Sequence, residues 1–170
     1  MRILSIDQAR NGAWAIFEYE TKTLLDKGVF SFDSRKFPFA KAVLGIERIV
    51  EKILKEKEVD VIFIEDIQLR VNPQAFKHLA QLQGVLVNLF EKNEFLYDFV
   101  APTQWQSYCK KAICEPCGCD VKKMNSKELS LFCAEKLFDI HTHNDNLADA
   151  ICLGWYVVNN IKFDVDEKEN

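Results

Sequence analysis

Apolar and polar positions fall into short blocks along the chain. Ile3-Leu4-Ser5-Ile6 is an apolar run closed by Asp7, and the polar stretch Gln8-Ala9-Arg10-Asn11-Gly12 predicts a turn, with Asn-Gly as a strong hairpin signal. Ala13 to Tyr19 is the expected returning strand. A polar break at Glu20-Thr21-Lys22-Thr23 leads to a third strand over Leu24 to Phe32, giving an antiparallel meander. Beyond Pro38, the apolar positions Ala42, Ile46, Ile49, Val50, Ile53 and Leu54 follow the i, i+3, i+4, i+7 spacing of an amphipathic helix. Val59-Asp60-Val61-Ile62-Phe63-Ile64, ending in Glu65, reads as a strand buried on both faces, as central parallel strands are.

The second half of the chain continues this alternation. A helix is expected from Pro73 to Lys92, a strand from Phe95 to Val100, and a helix starting near Gln104 with Thr103 as its N-cap. Residues 109–124 read as irregular. Ser126 opens a further helix reaching Phe138, and Asn144 caps a last one running to about Asn159. The order βββαβαβα(α)α predicts an α/β fold, a mixed five-stranded sheet of meander plus parallel strands flanked by helices. One domain over residues 1–160 accounts for it, followed by an acidic tail over 161–170 that is expected to be disordered.

Composition narrows the function classes. The 170 residues are 48% hydrophobic and 28% charged, enough for one core. The N-terminal apolar run is too short for a signal peptide, and no stretch approaches the roughly 20 apolar residues of a bilayer span, so a cytoplasmic location with no membrane partner is expected. Net charge is −4, yet Trp105 to Lys127 carries Lys110, Lys111, Lys122, Lys123 and Lys127 against Glu115 and Asp120. Positive charge is thus local, where a polyanion would need it. No Gly-rich phosphate loop is present, which weighs against a nucleotide cofactor and an actin-like ATPase.

The chemistry lies in the acids. Asp7 and Glu65 each end a strand, at the sheet edge where open α/β folds place ligands. In His143-Asn144-Asp145-Asn146-Leu147-Ala148-Asp149, Asp145 and Asp149 stack on one helix face. Asp145 alone would also suit the helix dipole, but Asp149 borders an apolar stripe, where a carboxylate is costly unless it is paired or bound to a cation. Four converging carboxylates without thiolates select Mg²⁺ or Mn²⁺, and two such ions per site perform phosphodiester hydrolysis.

The chain resembles the RuvC-like Holliday junction resolvases of the ribonuclease H-like superfamily, in their small bacterial and phage forms. The resemblance is carried by Ile3-Leu-Ser-Ile-Asp7 with its meander, Val61-Ile-Phe-Ile-Glu65-Asp66, Ala80-Gln-Leu-Gln-Gly84-Val85, Ala101-Pro-Thr-Gln-Trp105, the Lys-bearing stretch Lys123 to Lys127, and Asp145-Asn-Leu-Ala-Asp149-Ala150. It implies a ribonuclease H-like fold and a metal-dependent endodeoxyribonuclease acting in DNA recombination and repair. Asp7, Glu65, Asp145 and Asp149 would be its metal-binding tetrad. Many members space the last two acids three apart, which would place Asn146 where Asp145 is proposed. They also often carry an aromatic wedge three residues after the second acid, where this chain has Gln68. The resemblance further implies a homodimer built on the second helix (Phe76, Leu79, Ala80, Val85, Leu86, with Gly84 allowing close approach). Phosphate contacts would come from Lys110, Lys111, Lys122, Lys123, Lys127 and Arg70, with Lys77 extending the patch, and Lys123 or Lys127 would stabilise charge at the scissile phosphate. A ribonuclease acting on RNA–DNA hybrid or RNA, or a catalytically weak junction-binding protein, is the alternative.

Six cysteines in a reducing compartment read as thiols. Cys109, Cys114, Cys117 and Cys119 form Cys-x4-Cys-x2-Cys-x-Cys, a candidate structural zinc set that would stiffen the lysine-bearing loop. Cys133 and Cys152 fall on apolar helix faces and read as core. His141 and His143 precede the acid pair, and His78 needs no function.

Overall fold

The computed structural model of the protein describes residues 1–68, 72–119 and 124–163. Arg70, Lys122, Lys123 and the acidic tail beyond 163 lie outside the described residues. The elements are β1 (Arg2–Asp7), β2 (Asn11–Glu18), β3 (Thr23–Ser31), α1 (Phe39–Glu56), β4 (Val61–Glu65), α2 (Pro73–Lys92), β5 (Leu96–Val100), α3 (Pro102–Cys109), a π-helical turn (Lys110–Cys114), α4 (Ser126–Phe138) and α5 (Asp145–Asn160). They form the expected α/β fold around one five-stranded sheet of order β3-β2-β1-β4-β5. β1, β2 and β3 pair antiparallel, while β1–β4 and β4–β5 pair parallel.

The two-residue period of a strand sorts the core into two faces. Leu4, Ile6, Ile62 and Ile64 point to one face, where they pack with Ile46, Val50, Leu82 and Leu86 of α1 and α2. Ile3, Val61 and Phe63 point to the other, against Trp105 of α3, Leu129 and Cys133 of α4, and Ile151 and Cys152 of α5. Parity therefore places Asp7 and Glu65 on the α3–α5 face. Ile6 pairs with Ile64 in the β1–β4 ladder, so the two acids stand one step beyond that pair at the same sheet edge.

Local chemistry fixes the helix starts near that edge. Asn144 caps α5 by accepting from the Leu147 amide at 3.0 Å. Asn125 caps α4 by accepting from the Lys127 and Glu128 amides, and Glu128 accepts from the Asn125 amide at 2.9 Å, a reciprocal capping box.

Three expectations need correction. Asn11-Gly12 is not a hairpin tip: both residues extend β2, pairing with Ser31 and Phe30 of β3. A Cβ on Gly12 would lie 2.4 Å from the Asp7 carbonyl, so close packing, and not turn conformation, requires the glycine. Helix α3 starts at Pro102, not Gln104, because proline suits a first helical position. The Gln104 side chain accepts from the Ala101 amide, so Thr103 is not the cap. Finally, Lys110–Cys114 is a π-helical turn continuing α3, where an irregular loop was expected.

Candidate active site

Asp7, Glu65, Asp145 and Asp149 line one cleft of about 400 Å³, with Gln8, Asp66, Gln68, Phe76, Leu79, Gln106, Ser126, Lys127 and Asn146. They come from β1, β4 and two successive turns at the start of α5. What brings α5 onto β1 is the contact between small groups. Ser5, buried in the apolar run, donates to the Ala150 carbonyl at 2.7 Å. Gly154 lies against Phe17 and Ser5 so tightly that an added Cβ would come within 2.5 and 2.6 Å of them. Sequence reasoning passed over both, although a lone serine in an apolar strand and a glycine in an apolar helix were the available signals.

The electrostatics are those of crowded like charges. Burial and then the neighbouring Glu65, Asp149 and Asp145 carboxylates push the Asp7 carboxyl well above the usual aspartate range. Asp145 behaves oppositely: the Lys127 ammonium ion-pairs with it and holds its carboxyl below the usual range. A donor set of carboxylates that repel one another at a solvent-open cleft fits a hard, oxygen-seeking divalent cation. Asp7, Glu65, Asp149 and Asp145 are the side chains that could hold such an ion.

Asn146 is otherwise engaged, donating its side-chain amide to the Asn11 carbonyl at 2.6 Å. The Asp145–Asn146 pair thus divides the work, one residue toward the cleft and Lys127, the other tying α5 to the start of β2. Gln8 is a further contributor that the sequence did not flag. It is buried, and its amide donates to the Glu65 carbonyl at 3.0 Å and to Gln83 at 2.8 Å, linking the β4 end to α2.

The remaining candidates scatter. Lys127 is at the cleft, whereas Lys111 stands beside Tyr156 and Asn160, near the opposite end of α5 from the acids. Lys110 is half-buried in the π-helical turn and Lys77 is exposed on α2. Among the described residues, the candidate lysines therefore do not form one patch. Asp66 is half-buried at the cleft. Leu86 belongs to the subunit's own core, so the candidate dimer face reduces to Ala80 and Gly84, both exposed, with half-buried Phe76, Leu79 and Val85. Nothing lies within 4 Å of a Cβ built on Gly84. His141 pairs with Asp139 at 3.1 Å, and His78 stacks on Phe39.

Similarity follows the same outline. The chain superposes on T. thermophilus RuvC solved with a Holliday junction substrate at a TM-score of 0.68, with 14% identity over 92% of this chain and 91% of that one. The fold is that of the RuvC-like resolvases. The yeast mitochondrial Holliday junction resolvase Ydc2 matches at a TM-score of 0.65, with 15% identity over 92% of this chain and 77% of that one. In sequence, the chain is 27% identical over 103 residues to the crossover junction endodeoxyribonuclease RuvC of Sulfurovum sp. (strain NBC37-1), a match covering 58% of this chain. The match spans 64% of that relative's length. No protein-family profile matches the chain. Among the described residues, no helix is long and apolar enough to cross a membrane.

Proposed function

We propose that the protein is a Mg²⁺- or Mn²⁺-dependent endodeoxyribonuclease that nicks four-way or otherwise branched DNA. The observation that carries this reading is the convergence of Asp7, Glu65, Asp145 and Asp149 in one cleft of a RuvC-like fold. Two divalent ions, when bound, would supply an activated water and neutralise the charge that develops on the phosphodiester. The chain's own groups do the rest. The four carboxylates hold the cations, and the crowding that raises Asp7 is relieved when they do. Lys127 sets the position of Asp145 and offers positive charge to an incoming phosphate. Gln8 and Ser5 fix the backbone from which Glu65 and Asp149 project.

Lys123 is proposed as a second cation beside the scissile phosphate, and Arg70, Lys122 and Lys110 as contacts to the flanking backbone, giving salt-sensitive binding. Lys111 and Lys77 would serve DNA arms running away from the cleft. A homodimer paired across the exposed Ala80 and Gly84 surface of α2 would present two cleavage sites related by a two-fold axis, matching two junction strands of like polarity. Gln68 lines the cleft in place of an aromatic wedge, so strand separation would rest on other groups and junction selectivity would be relaxed. A cytoplasmic location goes with this reading.

The test is cleavage of a synthetic four-way DNA junction, a linear duplex and an RNA–DNA hybrid, with Mg²⁺ or EDTA, by the wild type, Asp7→Asn and Glu65→Gln. Paired symmetric nicks in the junction that vanish with EDTA and in both variants are expected. Cleavage confined to the hybrid would move the substrate to RNA, and junction binding without cleavage would mean the acids no longer hold a working metal site.

A further inference from the structure

Three of the six cysteines meet inside the α3–α5 layer, with a fourth beside them, although the sequence separates them. The Sγ atoms of Cys109, Cys133 and Cys152 all lie within 4.8 Å of one another, and all three residues are buried. They come from the end of α3, the middle of α4 and the middle of α5. Cys114, buried at the end of the π-helical turn, shares a hydrogen bond with the Cys133 thiol. Cys117 is exposed and Cys119 half-exposed, and no three of Cys109, Cys114, Cys117 and Cys119 gather closely enough to share an ion. The zinc set expected from the run Cys109 to Cys119 is therefore corrected: its first two members turn inward and its last two outward.

We propose that Cys109, Cys133 and Cys152, with Cys114 as fourth ligand, bind a zinc ion in the core of this layer. A tetrahedral site with Zn–S bonds of about 2.3 Å needs sulfurs about 3.8 Å apart, within about an ångström of the present spacing. The ligand order is Cys-x4-Cys followed by two single cysteines, each reached across one helix–loop connection. Isolated buried cysteines behave as small hydrophobes, but three thiols from three helices meeting at one point, with Cys114 bonded to one of them, offer the donors of a soft-metal site.

The chemistry of this site separates it from the carboxylate cleft, whose oxygen donors favour harder ions. Its placement couples the two. Cys152 is three residues beyond Asp149 on α5, and Cys109 and Cys114 bracket Lys110 and Lys111. A bound ion would tie α3, the π-helical turn and α4 to the helix that carries Asp145 and Asp149.

The experiment is elemental analysis of the full chain purified without chelator, followed by replacement of the bound ion with Co²⁺. About one zinc per chain and an intense thiolate-to-cobalt charge-transfer band with a tetrahedral ligand-field spectrum are expected. Cys133→Ser should lower metal affinity at least tenfold, and Cys114→Ser should weaken the charge-transfer band by about one quarter. Cys117→Ser and Cys119→Ser should leave both unchanged. A wild type that purifies without zinc and gives no cobalt–thiolate band overturns the proposal, and so does loss of metal in the Cys117 or Cys119 variants. An unchanged band in Cys114→Ser removes that residue from the ligand set. If Cys133→Ser does not fold, the zinc stoichiometry and cobalt spectrum of the wild type decide alone.

Discussion

Replacing Asp7 by asparagine should make the metal-free protein more stable while abolishing its response to Mg²⁺. The side chain keeps its shape and loses its charge, so the change isolates electrostatics. Asp7 faces three acids, Glu65, Asp149 and Asp145, whose charges together with burial drive its carboxyl well above the ordinary range. One like charge about 6 Å away costs about 3 kcal/mol at an effective dielectric near 20. The cleft is open to solvent and Lys127 offsets Asp145, so a net relief of about 2 kcal/mol is the expected size after screening. For a domain of this length that is a rise in Tm of about 4–8 °C in EDTA. The wild type should instead gain about 2.7 kcal/mol when Mg²⁺ stands 100-fold above its Kd, and the variant far less. Scanning calorimetry of both proteins in EDTA and across a Mg²⁺ titration measures each quantity. A variant that melts lower than the wild type in EDTA, or that shifts equally with Mg²⁺, would refute the assignment of Asp7 to a cation site.

The same crowding sets a pH dependence. Since the folded state holds the Asp7 proton above the unfolded pKa of about 3.8, this group's contribution is full below that value and is lost as pH rises toward the raised folded pKa. The Tm difference between wild type and Asp7→Asn in EDTA should therefore widen with rising pH and close near pH 3.8; a constant difference contradicts it. Gly154→Ala should cost about 1–3 kcal/mol by overpacking against Phe17 and Ser5, read as a lowered urea midpoint, and it should also impair cleavage by shifting Asp149. Ser5→Ala leaves the buried Ala150 carbonyl without its hydroxyl donor and should lose about 1–3 kcal/mol in the same assay. Lys127→Met should change stability by less than ~1 kcal/mol, because the lysine is largely exposed, yet lower junction cleavage by about 10–100-fold.

The fold was legible wherever one pattern dominated. The bounds of α2 were readable to the residue, because Pro73 starts it and Asn93 follows its apolar stripe, and β4 was marked by an unbroken β-branched run. The four acids were legible because each ends a strand or opens a helix, and parity then puts Asp7 and Glu65 on one face. What the sequence hid was long-range. Asn11-Gly12 looks like a turn locally, but pairing with β3 outweighs that preference. Cys109, Cys133 and Cys152 lie far apart along the chain, and only the packing of three helices brings them together. Proximity along the chain favoured Cys117 and Cys119 as their companions, and burial decided otherwise.

Two requirements oppose each other at the cleft, and the framework around it resolves them. Four carboxylates must approach closely enough to share cations, yet without cations they repel. A flexible arrangement would let them move apart. Here three of the four are held by contacts made through the neighbouring backbone: Ser5 to the Ala150 carbonyl behind Asp149, Gly154 against Phe17 one turn further down α5, Gln8 to the Glu65 carbonyl, and Asn146 to the Asn11 carbonyl beside Asp145. None of these four residues carries a charge, so the restraint adds nothing to the field the cations would feel. Lys127 is the exception, and its ion pair with Asp145 explains why that acid sits below its ordinary pKa range while Asp7 sits above. The two acids are thus pushed in opposite directions: Lys127 favours the ionised form of Asp145, whereas burial and crowding disfavour that of Asp7, a penalty that an arriving cation would relieve.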